Sequence, residues 1–295
     1  MDINISVNTL FHFTSNRQFL LNILSNGLYS RYSLENFESL IDDGAEIVFP
    51  MVCFCDIPLS QVKRHTNTYG KYAIGLTKSW GMKNKINPVI YTYPNSTTSN
   101  ILSETSGQLG NFFDVSEDEN KKRIRTRKST KENDIFYELK KLLEDPTFKY
   151  KVQAIDKVRE ITDRLGYFIK YIKPYEGKFF RHLDYLEKLV RFYEEREWRY
   201  IPDRNIINSA KLKDSYKAEY YKDPIKRRAI NMKLAKHSKL EFKPNDIRFI
   251  IVEKDNEIPG MLTELEKIFE STATSKDLKI LGTRLISLQQ IIEDI

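Results

Sequence analysis

The stretch IVFPMVCFCDIP, residues 47–58, constrains the fold of this chain most. It is almost continuously apolar, β-branched and aromatic, a composition typical of a strand buried inside a sheet. Pro58 ends the run because proline has no backbone N–H to donate to a neighbouring strand. The backbone groups of a buried strand must be paired, so the sequence predicts a β-sheet core.

The patterns around this strand predict an α+β fold. The segment FHFTSNRQFLLNILSNGL, residues 11–28, predicts the end of a strand, a turn and a helix over 16–26 that Gly27 terminates. The expected elements beyond it are a short helix carrying His65 with a turn at Tyr69-Gly70, strands at 72–76 and 88–93, helices between 134 and 172, a helix over 182–200, a strand–turn–strand unit at 239–254, a helix at 257–271, and a last strand and helix within 279–295.

Length and composition bound the architecture and the setting. A chain of 295 residues that is 40% hydrophobic can bury a substantial core, and we predict a single domain over 1–295 with a polar, basic loop and a helical insertion at about 95–190. The chain has only two cysteines, no basic and apolar leader, and no run of 18 uncharged apolar residues. These features predict a reducing, cytoplasmic location without a membrane span.

The net charge of +7 favours anionic partners such as nucleic acid without requiring them. The densest basic segment is KKRIRTRKSTK, residues 121–131, and a smaller KRR cluster lies at 226–228. Each could neutralise several phosphates, or each could be a solvated loop. The predicted nucleic-acid contacts are Lys121, Lys122, Arg123, Arg125 and Arg127.

His12 and Thr14 form a His-x-Thr pair at the end of the first strand. Residues two apart in a strand share a face, so one imidazole and one hydroxyl lie side by side and could bind a ribose diol. The alternative is a buried histidine whose nitrogens are both hydrogen-bonded within the core.

The segment FYEEREWRY holds a second candidate pair, Glu195 and Glu197. In extended structure the two carboxylates share a face and raise each other's pKa, while Arg196 and Arg199 oppose that rise. The alternative is a solvated, charged helix end. Because aromatic residues interleave with the charges, we expect partial burial, where a carboxylate could stabilise an oxocarbenium ion.

Other chemistries find little support in the sequence. Cys53, Cys55, Asp56 and His65 do not have the ligand spacing of a zinc site, and we expect both cysteines to pack as small core residues. No metal site is predicted. Kinase and nucleotide triphosphatase chemistry is disfavoured because the chain lacks a glycine-rich phosphate loop.

Three blocks carry a resemblance to a known family. They are LFHFT with LNILSNGL, then PMVCFCDIPLSQVKRHTNTYGKYAIGLTKSWG with NPVIYTY, and finally YIKPYEGKFF with RFYEEREWRYIP. From about residue 10 to about residue 260 the chain resembles the AbiGi family of bacterial abortive-infection proteins. The resemblance implies a role in phage resistance, and that family is often labelled the antitoxin member of a pair.

A more distant similarity, to DNA-modifying ADP-ribosyltransferases of the DarT type, bears on mechanism. It rests on the order His-x-Thr, a helix ending in Gly-Leu, a strand with an F-x-x-P-like exit, and a glutamate after a helical insertion. It implies a split β-sheet core of the ADP-ribosyltransferase type with NAD as substrate. His12 and Thr14 would then hold the nicotinamide riboside end, and Glu197 would be catalytic, with Glu195 completing an E-x-E pair.

The same similarity implies an aromatic wall and a positive charge. Tyr69 or Tyr72 would supply the ring that stacks on nicotinamide. DarT-type enzymes carry an arginine after the proline of the strand exit, whereas this chain has Leu59, which leaves Arg64 or His65 to supply the charge.

Two functions follow from these resemblances. An NAD-dependent ADP-ribosyltransferase would modify a nucleic acid or a protein, with Glu197 stabilising the oxocarbenium ion and Glu195 orienting or deprotonating the acceptor. A catalytically silent interaction protein would instead bind and restrain a toxin partner. The first function requires His12 and Glu197 to face each other across one cleft.

Overall fold

A computed structural model describes residues 7–37, 40, 46–106, 146–181 and 184–294 of the chain. A large mixed sheet organises them, which confirms the α+β class. The strands are β1 (Thr9–Thr14), β2 (Leu28–Tyr29), β3 (Arg31–Asn36), β4 (Glu46–Cys55), β5 (Tyr72–Thr77), β6 (Asn87–Pro88), β7 (Ile90–Thr92), β8 (Ile172–Pro174), β9 (Gly177–Arg181), β10 (Asp184–Val190), β11 (Glu197–Tyr200), β12 (Tyr216–Lys217), β13 (Lys239–Leu240), β14 (Ile247–Val252) and β15 (Leu285–Ser287).

Nine of these strands form the main sheet. Its path runs β15-β14-β5-β1-β4-β11-β6, and β3 and β12 pair with the first half of β4. Among the described pairings of this sheet, β14 and β15 run parallel and the others antiparallel. Strand β4 therefore lies inside the sheet, as its apolar sequence predicts, and it ends three residues before Pro58.

Helices cover both faces of the sheet, and short 3₁₀ turns occur at Leu59–Gln61 and Phe192–Glu195. No helix in the described ranges is both long and apolar enough to cross a lipid bilayer. The helices are α1 (Arg17–Asn26), α2 (Val62–Tyr69), α3 (Lys78–Lys83), α4 (97–106), α5 (Pro146–Ile169), α6 (Arg204–Ser209), α7 (Ala218–Lys222), α8 (Pro224–Ala235), α9 (Ile258–Phe269), α10 (Ser275–Gly282) and α11 (Leu288–Asp294).

Strand alternation divides the apolar core between the two faces of the sheet. On one face, here named the α1 face, Leu10, Phe54 and Ile74 pack with α1 and α9. On the other, named the α2 face, Phe11 and Ile251 pack with α2 and α11. Each fully buried side chain of this kind stabilises the fold by about 1.5–3 kcal/mol. The position of a residue within its strand therefore decides which of the two cores it joins.

Most of the predicted elements are confirmed. Helix α1 begins after Asn16, whose side chain accepts a hydrogen bond from the Phe19 backbone N–H, and it ends at Gly27 with a φ of 81°. Helix α2 carries His65, and α5, α9, β15 and α11 lie where helices and the last strand are expected. The strand expected at 88–93 is present as two short strands, β6 and β7.

The helix predicted over 182–200 is wrong. Strand β10, a 3₁₀ turn and strand β11 occupy this segment instead. Arg196 has a left-handed backbone with a φ of 46°, which interrupts any helix, and pairing of β11 with β4 fixes the residues that follow. Tertiary pairing here overrides a local pattern that also fits a helix.

Candidate functional site

Strand β11 carries the charged part of the site. Its register aligns Glu197 with Cys55 and Arg199 with Cys53, so all four side chains project from the α2 face. The intervening Trp198 belongs to the core on the α1 face. The alternation of charged and aromatic residues in EWRY therefore separates a polar site from an apolar core across one strand.

A buried ion network joins β11 to two other strands. Lys173 Nζ, on β8, lies 2.7 Å from Glu195 Oε2 and 2.6 Å from Glu197 Oε2. Arg199 Nε lies 2.7 Å from Glu197 Oε1, and Arg199 Nη2 lies 2.7 Å from Glu35 Oε2 on β3. The side chain of Arg199 is 0% exposed. Three carboxylates and two cations thus share one interior site, and its charges need each other because burial removes their water.

The pKa values of the two glutamates that Lys173 joins are shifted in opposite directions. Burial raises the pKa of Glu195, because the nearby Lys173 only partly offsets the lost hydration and Glu197 adds repulsion. Burial alone would also raise the pKa of Glu197, but Arg199 and Lys173 together hold it well below its usual range. The expected rise in pKa is thus seen for Glu195, whereas at Glu197 the expected opposition from Arg199, joined by Lys173, outweighs it. Glu195 is the member of the pair that takes a proton more readily.

Tyr69 connects the network to helix α2. Its hydroxyl donates a hydrogen bond to Glu195 Oε1, and burial raises the pKa of the phenol, which keeps it a donor. Gly70 follows with a φ of 116°, and a Cβ there would lie 2.2 Å from the Thr14 carbonyl oxygen. Only glycine permits this approach, which holds the end of α2 against the end of β1.

A cavity of about 430 Å³ opens beside Glu195 and Tyr69. Helix α2 lines it with Arg64 and His65, and the segment before β11 lines it with Arg196. A cavity of this volume falls in the range that small ligands occupy. Neither Glu197 nor His12 is among its lining residues.

His12, Thr14 and Tyr72 lie on the α1 face instead. His12 and Thr14 share that face, as the His-x-Thr spacing predicts. In the pairing of β1 with β5 they are aligned with Ile74 and Tyr72. His12 Nδ1 lies 2.8 Å from the Cys53 carbonyl oxygen, and burial lowers the pKa of the imidazole. The Tyr72 hydroxyl donates to Glu257 at 3.1 Å.

The structure thus separates the predicted site residues into two groups. One group, on the α1 face, is His12, Thr14 and Tyr72, and the other, on the α2 face, includes Glu195 and Glu197. The sheet does not bring His12 and Glu197 to one cavity. Their roles in NAD binding and catalysis stay predictions.

The remaining candidates have simpler outcomes. Cys53 and Cys55 are free thiols packed against apolar clusters, as expected, and burial raises the pKa of both. In the part of the chain that the structure describes, no three His, Cys, Asp or Glu side chains are grouped as metal ligands. The basic cluster at 121–131 lies outside the described residues, and the 226–228 cluster lies on α8.

Sequence reasoning missed Lys173 and Glu35, the partners that close the network. Lys173 stands between Ile172 and Pro174 in a fully buried three-residue strand. A lysine flanked by apolar residues is a signal of burial and often of a buried partner, although the nearby Lys170 is buried without a carboxylate partner among the described residues. Glu35 gives no such signal, since its strand is polar and only the pairing of β3 with β4 brings it to Arg199.

Fold and site together define a class: an α+β protein with a closed, ion-paired cluster on one sheet face and a cavity beside it. The family model described as "Putative abortive phage resistance protein AbiGi, antitoxin" matches residues 26–253, most of this chain. The chain therefore belongs to the AbiGi family, which confirms that resemblance. The match includes the ion network and begins after His12 and Thr14.

A similar curated protein adds to this finding. The "Abortive phage resistance protein AbiGi" of Lactococcus lactis subsp. cremoris is 29% identical over 167 residues, which cover 54% of this chain and 53% of that protein. The match thus spans about half the length of the relative. No solved structure matches the chain, so the similarity to ADP-ribosyltransferases stands on the sequence resemblance alone.

Proposed function

We propose that this chain is the antitoxin of a phage-resistance pair, which binds and restrains a toxin protein and performs no transfer reaction of its own. The family description names an antitoxin, and an antitoxin acts on a partner. The catalytically silent interaction protein is therefore preferred to the NAD-dependent ADP-ribosyltransferase.

The observation that carries this proposal is the state of Glu197. A carboxylate that stabilises positive charge developing on a substrate must present an oxygen to that substrate. In this chain Arg199 binds Oε1, Lys173 binds Oε2, and the side chain is only 4% exposed. The Glu197 backbone N–H donates to the Tyr91 hydroxyl at 2.8 Å, which fixes the residue further. These contacts support a role for Glu197 in holding strands together rather than in binding NAD.

The position of His12 supports the same choice. An NAD-dependent transferase must hold the ribose and stabilise the oxocarbenium ion within one cleft. The sheet lies between His12 and Glu197, and the Nδ1 atom of His12 is already engaged by a backbone carbonyl. NAD use therefore rests on the resemblance alone.

The test begins with the proteins encoded beside this chain, each induced alone to find one that arrests growth. We expect co-expression of this chain to restore growth and the two proteins to purify as a stoichiometric complex. Glu195→Gln and Tyr69→Phe variants that remain folded should still restore growth, because the proposal gives neither residue a chemical step.

The competing function is tested on the same preparations. The purified chain is incubated with labelled NAD and mixed RNA, DNA and protein acceptors, and we expect no release of nicotinamide and no labelled acceptor. Release of nicotinamide that disappears in a folded Glu197→Gln variant would overturn the proposal of a catalytically silent protein and would establish the transferase. Failure of the chain to rescue growth from any neighbouring toxin would overturn the antitoxin role.

A further inference from the structure

The lining of the cavity beside Glu195 holds more hydrogen-bond donors than free acceptors. Three guanidinium groups, from Arg64, Arg191 and Arg196, and the side-chain amide of Gln61 surround it. Arginine has donors and no acceptor, so this lining favours a ligand rich in acceptor atoms.

Both carboxylates of the cavity are already engaged. Glu194 pairs with Arg191 at 3.3 Å, and Glu195 accepts from Tyr69 and from Lys173. Lys173 Nζ lies 2.7 Å from Glu195 Oε2 and offsets its negative charge, while also binding Glu197. Neither glutamate is therefore expected to repel strongly an anion that binds at the mouth of the cavity.

Two neighbouring residues of α2, Arg64 and His65, are available to a ligand. Arg64 is exposed and has no ion-pair partner among the residues that the structure describes. His65 is 7% exposed, and neither of its ring nitrogens has a hydrogen-bond partner there. Burial lowers the pKa of His65, and the backbone carbonyl of Gln61, one helical turn earlier, partly offsets that lowering. This carbonyl does not lie in hydrogen-bond geometry with the ring. A buried polar group without a partner is costly, and a bound ligand would remove that cost.

The rest of the cavity wall is apolar or aromatic. Ile57, Pro58 and Val190 contribute aliphatic surface. The His65 ring stacks between Phe13 and Tyr69, with centroid distances of 5.9 and 6.1 Å. An inorganic anion alone would leave most of about 430 Å³ unfilled, so the shape favours an anion that carries an organic body.

We propose that this cavity binds a small organic phosphate. Arg64 holds the phosphate at the mouth of the cavity, where a guanidinium can make two parallel hydrogen bonds to its oxygens. Arg196, whose Nη2 lies 3.9 Å from Asp56 Oδ2, adds positive charge nearby. His65 hydrogen-bonds the ligand deeper in the cavity, and the organic body packs on Tyr69 and the aliphatic wall. The site requires no toxin partner, so it is independent of the proposed antitoxin role.

The experiment is isothermal titration calorimetry of the full chain, in buffer without phosphate, with AMP, adenosine, ribose 5-phosphate and inorganic phosphate. We expect AMP or ribose 5-phosphate to bind more tightly than inorganic phosphate, and AMP more tightly than adenosine. Arg64→Gln should weaken the tighter ligand by at least about tenfold, as expected for loss of a charged hydrogen bond, and Arg64→Lys by less.

Lys63→Gln is the matched control, because Lys63 is the exposed cation next in sequence and does not line the cavity. It should change affinity by less than about twofold, as a solvated charge does. Three results would overturn the proposal: no binding of any of the three phosphates, adenosine binding as tightly as AMP, or equal weakening by Arg64→Gln and Lys63→Gln. Arg64 is exposed, so its substitution should leave the fold intact, and far-UV circular dichroism of each variant checks this before titration.

Discussion

The substitution Lys173→Met removes the cation that joins the two glutamates of the ion network. Methionine keeps the unbranched apolar stem of lysine, so the packing around the site changes little. Without Nζ, Glu195 keeps its contact with Tyr69, and Glu197 keeps its contact with Arg199. The buried Glu195 and Glu197 and the partly buried Glu35 then share one cation.

The expected loss of stability follows from the protonation of Glu195. A folded protein avoids an unpaired buried carboxylate by taking up a proton, and the ordinary pKa of this carboxyl is 4.5. At pH 7 that protonation costs about 3.4 kcal/mol, at about 1.36 kcal/mol for each pH unit above the ordinary pKa. We therefore expect the free energy of unfolding to fall by about 3 kcal/mol, in keeping with the cost of breaking buried pairs.

The loss should depend on pH in a defined direction. The folded variant binds the Glu195 proton more tightly than the unfolded chain does, so its stability falls as the pH rises above about 4.5. In the unchanged protein the pKa of Glu195 is raised as well. The difference in the free energy of unfolding between the two proteins therefore becomes smaller as the pH is lowered. It stays constant once Glu195 is protonated in both folded proteins.

Urea unfolding followed by far-UV circular dichroism at about pH 5.5, 6.5 and 7.5 measures this difference. Lys170→Met is the control, because Lys170 is also buried but contacts the Tyr167 ring and has no carboxylate partner in the described part of the chain. Burial lowers its pKa, so its loss should change stability by less than about 1 kcal/mol. The reasoning is refuted if Lys173→Met costs no more than Lys170→Met, or if its cost is the same at every pH.

Three further substitutions or reactions test other parts of the structure. Gly70→Ala should destabilise the fold by about 2 kcal/mol or more, since a Cβ would lie 2.2 Å from a backbone oxygen of β1, whereas Gly166→Ala, in open space on α5, should raise the melting temperature slightly. Tyr69→Phe should cost about 1–3 kcal/mol in urea unfolding, and an unchanged midpoint would contradict the hydrogen bond to Glu195. Cys53 and Cys55 should react with iodoacetamide far more slowly in the folded chain than in urea, as intact mass reports, because burial raises both thiol pKa values.

The sequence correctly predicted the elements that depend on residues within one segment. The apolar run of β4 and the capping pair Asn16 and Gly27 of α1 are examples, because burial and capping act on neighbouring residues. The segment 182–200 is the opposite case. Its apolar spacing fits a helix, but its strands are decided by pairing, of β10 with the preceding β9 and of β11 with the distant β4. The network has the same dependence on distant segments. Glu35 reaches Arg199 through the pairing of β3 with β4, and Lys173 reaches Glu197 from β8, which belongs to a separate two-stranded sheet with β7.

The separation of His12 from Glu197 depends on register across three strands. Phe11 is aligned with Cys55, and Cys55 with Glu197, so these three side chains project from the same face. His12 is next to Phe11 and must project from the opposite face. A shift of one residue in β1 would place His12 on the face of Glu197, but it would also remove Phe11 from the α2 core, where it stacks on Phe249 at 5.8 Å. Losing a buried phenylalanine costs about 3–5 kcal/mol, so core packing, rather than any feature of the His-x-Thr pair, decides against a single cleft.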